Sequence, residues 1–114
     1  MRLLAAGLVL LVHAAPARAL TVADCQAWLV QVSHETAGLP LARAEHTLLV
    51  RDLDDATRTT THPSLDASIA SMTRFQQRAA SLARDGKLSP TAGERLKNLS
   101  ETVRRCLARV RQEN

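Results

Sequence analysis

Apolar positions recur at three- and four-residue spacing in four separate segments, and no segment shows the strict alternation of a half-buried strand. In the first, Val22, Cys25, Leu29, Val32 and Thr36 share one face. Thr21 stands at the N-cap with Asp24 three residues on, the arrangement of a capping box, and Gly38-Leu39-Pro40 ends the run. The second runs from about Leu41 to Thr59, with Ala42, Leu49, Leu53 and Ala56 down one face and His46 on the same stripe. The Thr-rich stretch "TRTTTHPS", residues 57–64, is expected to close it as a short exposed loop.

The third segment takes Ser64 as its N-cap and Leu65, Ile69, Met72, Phe75 or Gln76, Ala79 and Leu82 as its inner face. Gly86 stands where a left-handed C-cap residue belongs. Ser89 then caps the fourth segment, with Pro90 at its first helical position. Its stripe is Ala92, Leu96, Leu99, Val103, Leu107 and Val110, and Cys106 lies beside it. Four stripes apolar on one side must bury those sides against one another, and short links make successive helices antiparallel. The expected fold is all-α, an up-and-down four-helix bundle.

The chain begins with Met1-Arg2, an apolar run from Leu3 to Val12, a Pro16 break and Ala17-Arg18-Ala19. That is the plan of a secretory signal cleaved after Ala19, too short to anchor stably in a bilayer. Residues 1–19 are therefore read as signal peptide and 20–114 as a single helical-bundle domain, secreted or periplasmic, with no stable membrane insertion of the mature chain. In an oxidising compartment two cysteines default to a disulfide. Cys25 near the start of the first helix and Cys106 near the end of the last meet at one end of an up-and-down bundle, so pairing and topology support each other. Closing so long a loop restricts the unfolded chain by about 4 kcal/mol.

Charge narrows the choice of partners. Fifteen basic residues face eleven acidic ones, and two of the basic residues, Arg2 and Arg18, fall in the leader. With so small an excess, and Trp28 and Phe75 the only aromatics, nucleic acid is not an expected partner. The clearest basic feature is "VRRCLARVRQE", residues 103–113, where Arg104, Arg105, Arg109 and Arg111 follow one another down the last helix. Cations there complement the helix dipole, and they also offer a contact for an anionic partner such as an envelope polymer or an acidic protein. The exposed 57–63 loop joins them as the expected contact surface.

Other motifs carry less chemistry. Gly86-Lys87 lacks the further glycines, the following Ser or Thr and the preceding strand of a phosphate loop. His34 and His46 straddle the Gly38–Pro40 turn and, with Glu35 or Glu45, form a candidate transition-metal pair. No haem pocket or other cofactor is expected. Asn98-Leu99-Ser100 matches a glycosylation sequon but falls inside a helix. No nucleophile–base pair is set up by any local motif, so the protein is not expected to be an enzyme.

The segments "LLVRDLDDA", residues 48–56, the helix bearing Phe75, and "LARDGKLSPTAGERL", residues 82–96, together resemble the helical module FIMAH, found in many adhesins and hydrolases, and similar small secreted actinobacterial helical proteins. The resemblance covers roughly residues 49–106. It implies a non-catalytic accessory module that assists attachment at the cell surface, although such modules usually trail a larger protein. The expected function is a secreted or periplasmic non-catalytic binding protein. A periplasmic immunity or inhibitor protein, which a concave acidic surface would favour, and a small metal-handling protein are the alternatives.

Overall fold

The computed structural model describes residues 19–60 and 64–113. The apolar leader and the Thr61-His62-Pro63 part of the expected loop lie outside the described residues. Four helices account for nearly all the rest: α1 (Val22–Ala37), α2 (Arg43–Thr60), α3 (Leu65–Arg84) and α4 (Pro90–Glu113). No strand occurs among the described residues. Each helix packs against two others, in the closed order α1–α2–α3–α4–α1. Side-chain contacts fix the directions. Gln26 at the start of α1 bonds Thr60 at the end of α2, and Glu35 at the end of α1 pairs with Arg95 early in α4. Asp66 at the start of α3 pairs with Arg111 at the end of α4. Neighbours therefore run antiparallel, and the Cys25–Cys106 disulfide, with Cα atoms 5.6 Å apart, joins the first helix to the last.

The helix ends follow their local chemistry. Thr21 Oγ1 accepts from the Asp24 N–H at 3.3 Å, while the Asp24 carboxylate accepts from the Thr21 N–H at 2.8 Å. This reciprocal box satisfies donors that the first turn would otherwise leave unpaired. At the end of α3, Gly86 takes a φ of +75°. Its N–H donates to the Ala83 carbonyl and that of Lys87 to the Leu82 carbonyl, at 3.2 and 2.9 Å. That is a Schellman turn, which a residue with a Cβ would strain. Ser89 Oγ then accepts from the Ala92 N–H at 3.1 Å and starts α4. Leu88, between the two caps, is buried and pins the link to the core. Ser64 departs from expectation: it precedes α3 as its N-cap, but its side chain makes no capping bond and its backbone carbonyl alone accepts from Ala67 and Ser68.

The core comprises Leu29 and Val32 of α1, Leu49, Leu53 and Ala56 of α2, Met72, Phe75 and Ala79 of α3, and Leu96, Val103, Leu107 and Val110 of α4. Phe75, not Gln76, is the inward residue, and it is fully buried. Two expectations for α2 are corrected. Ala42 is exposed, because the helix starts at Arg43. Thr57 to Thr60 are helical and not loop, because the hydroxyls of Thr57, Thr59 and Thr60 donate to carbonyls of the preceding turn at 2.9, 2.8 and 2.6 Å. Those bonds occupy groups that would otherwise draw threonines out of a helix.

Several polar groups share the core. The Asp52 carboxylate, almost wholly buried, accepts from Arg78 Nε at 2.7 Å and lies 3.7 Å from Arg74 Nε. Ser68 Oγ donates to the Ala56 carbonyl, and Ser100 Oγ to that of Leu96. Where α3 and α4 cross, a Cβ added to Gly93 would stand 3.0 Å from the Ala83 Cβ, so glycine permits the close approach.

Candidate functional site

The basic run on α4 does not form one surface. A residue turns about 100° from the one before it on a helix, so Arg104 and Arg111 share one edge while Arg105 and Arg109 share another. The first pair braces α3: Arg104 Nη1 donates to Gln76 Oε1 at 2.9 Å and to Glu101 at 3.1 Å, and Arg111 pairs with Asp66. Burying an arginine in this way leaves Arg104 Nε without a hydrogen-bond partner. The second pair flanks α1. Arg109 Nε is a loose 3.8 Å from Glu113, and Arg105 makes no hydrogen bond or ion pair to any described residue.

Arg105 and Arg109 line an open groove between α1 and α4 of about 310 Å³, together with Leu20, Trp28, Thr102 and Cys106. Trp28, the single tryptophan of the chain, is 43% exposed there. It lies one turn after Cys25, beside Leu29, and so falls at the edge of the inward stripe. The disulfide crosses directly behind the groove and joins its two walls, which fixes their spacing.

The solvent face of α1 lies at least a quarter turn round the helix from Trp28, past Asp24, Gln31 and Glu35. Ala23, Ala27, Val30, His34 and Ala37 are all exposed and include no Asp, Glu, Lys or Arg. Val30 is 61% exposed, the highest value among the large apolar side chains of the described residues. The acidic residues of α1 are elsewhere: Asp24 closes the capping box and Glu35 pairs with Arg95 at 2.8 Å. By contrast, the exposed positions of α2, α3 and α4 include Arg51, Asp54, Arg74, Arg84, Glu94 and Lys97. A helix in a bundle is ordinarily polar on the side away from the core. On α1 that side carries no Asp, Glu, Lys or Arg, and its polar positions are Gln31, Ser33 and His34.

Lys87 carries an ion pair in place of an anion site: its Nζ lies 2.6 Å from Glu45 Oε2 and ties the α3–α4 link to α2. The Glu45 carboxylate, through that hydrogen bond and its charge, holds the Lys87 ammonium above the ordinary lysine range. His34 is exposed in the last turn of α1, and His46 is half-buried in α2. Glu35 and Glu45, the carboxylates expected beside them, are engaged with Arg95 and Lys87. No three His, Cys, Asp or Glu side chains gather to hold a metal among the described residues. Asn98 is exposed, but the Ser100 hydroxyl of the same sequon is buried and bonded to backbone. No described helix is long and apolar enough to cross a membrane.

No family profile, no curated protein and no solved structure matches the chain. What the geometry defines is a class, a disulfide-joined four-helix bundle whose first helix presents an uncharged outer face bordered by a tryptophan and two arginines.

Proposed function

We propose that this chain is an exported, non-catalytic interaction protein, secreted or retained in the periplasm, that binds a protein partner through the outer face of α1. The observation that carries this reading is the absence of charge along that face, with Val30 61% exposed on it and Trp28 43% exposed at the α4 edge of the helix. Val30 points outward and Trp28 stands at the α4 edge of the same helix, so a partner that wraps α1 would meet a large apolar side chain on each side of it. A tryptophan at the rim is the kind of side chain that dominates binding energy once desolvated. The Cys25–Cys106 disulfide supports export, because such bonds persist in oxidising compartments. An extended anionic polymer fits less well. It would want the four arginines in one stripe, and two of them are occupied with α3.

Val30→Glu tests the proposal, because a charge at an exposed position leaves the core untouched. The variant is compared with wild type and with Gln77→Glu on the exposed side of α3, each exported by the native host and recovered with its bound proteins after cross-linking. Val30→Glu should lose its specific partner and Gln77→Glu should keep it. Equal recovery by all three would overturn the reading.

A further inference from the structure

We propose that the groove between α1 and α4 receives a carboxylate: the side chain of an acidic residue, flanked by apolar residues, in a segment of the partner protein. The inference rests on the interaction reading and specifies its chemistry. Arg105 and Arg109 stand one helical turn apart on the same edge of α4, with Thr102 one turn before them. Guanidinium groups so spaced present several N–H donors toward one point, and carboxylates match that array with two parallel hydrogen bonds. Arg105 has no partner among the described residues, and Arg109 keeps only the 3.8 Å ion pair with Glu113, too long for a hydrogen bond, so its N–H donors remain open to a ligand.

The apolar wall sets the rest of the ligand. Trp28 and Leu20 offer hydrophobic surface directly beside the cations. The groove is open and, at about 310 Å³, stands at the lower end of the size of ligand pockets, room for one or two side chains of a larger partner. Farther round α1, past Asp24 and Gln31, lies the uncharged ridge of Ala23, Ala27 and Val30. Acidic residues at the edge of an apolar stripe, as on an amphipathic helix, complement both parts. A membrane surface is a poorer match. Attraction to anionic lipid needs a cluster of cations around the apolar face, whereas here they border one flank only. Cleavage after Ala19 would add the ammonium of Leu20 at the groove's edge, a third positive charge of the same sense.

Trp28 reports on the site without a label, because the chain has no other tryptophan. The probe is an acetylated, amidated hexapeptide alternating Glu and Leu, titrated into the exported protein while Trp28 emission is recorded. The Gln-for-Glu peptide and phosphatidylglycerol vesicles are run in parallel. A saturable change in emission with the Glu peptide is expected, weakening as salt rises. Loss of charge-assisted hydrogen bonds in Arg105→Gln/Arg109→Gln should weaken binding by about ten- to a hundredfold. Arg51→Gln, on the exposed side of α2, should leave it unchanged. Circular dichroism confirms that each variant is folded. No emission change, equal binding of the Gln peptide, a response confined to vesicles, or indifference to the arginine changes would each overturn the proposal. If the peptide fails while Val30→Glu still loses the cellular partner, the carboxylate site is wrong and the α1 interface stands. If the peptide binds while Val30→Glu keeps its partner, the site stands and the α1 interface falls.

Discussion

Reduction of Cys25–Cys106 is the perturbation whose size the fold specifies best. The two cysteines are 81 residues apart, so the bond closes most of the domain into one loop. The chain-entropy relation then gives about 4.5 kcal/mol of stabilisation at room temperature. A domain of this size is stable by roughly 5–15 kcal/mol in total, so the bond supplies a third or more of it. Reduction leaves both sulfurs in place, which separates the cross-link from the cavities that Cys→Ala changes would create. Urea unfolding followed by far-UV circular dichroism, with and without a phosphine reductant, provides the comparison. With a slope near the low end for small proteins, about 1–1.5 kcal/mol per molar, the midpoint should fall by about 3–4.5 M. The reduced protein should also unfold with a steeper slope, because its unfolded chain is more expanded. A midpoint shift below about 0.5 M would refute the reasoning, and intact mass showing two free thiols would refute it earlier.

Phe75→Ala and Leu96→Ala, both fully buried, should each cost about 2–5 kcal/mol in the same assay. Gly86→Ala meets no atom but forces a Cβ onto a φ of +75°, so it should cost about 1–2 kcal/mol through backbone strain alone. Lys87→Ala should change the midpoint little at neutral pH, since the pair with Glu45 is on the surface. Its sign with pH is fixed nonetheless. The folded pKa is raised above the ordinary 10.5, so whatever the pair contributes is present below that value. It should vanish as pH rises through the folded pKa, and a wild-type advantage that grew in alkali would contradict the pairing.

Much of the scaffold can be read from local chemistry. Thr21 with Asp24, Gly86, and Ser89 with Pro90 each place a helix end, and in the folded chain the first and last of these make the bonds that such residues make. The periodicity of Leu29, Leu53, Phe75 and Val103 likewise leads to the core. The candidate site was not legible in the same way. Whether Arg105 faces α1 while Arg104 faces α3 depends on which way round the bundle is wound, and the stripe of one helix does not encode that handedness. Trp28 sits one position from Leu29, so a reading by period alone does not separate a core residue from one at its rim. Asp52 falls three residues after Leu49 on the buried stripe, and its place in the core depends on Arg74 and Arg78 arriving from α3. The threonines at 57–60 suggested a loop because the back-bonding that keeps them helical is a property of the formed helix.

The most direct measurement is a photo-cross-linking walk in the native host. A photoreactive residue is placed in turn at Ala27, Val30 and His34 on α1, and at Arg51 and Gln77 on the exposed sides of α2 and α3. One discrete adduct is expected from the α1 positions, absent from Arg51 and Gln77, and diminished when Arg105 and Arg109 are both changed to Gln. Adducts spread evenly over the three helices, or none from α1, would rule out α1 as the binding face.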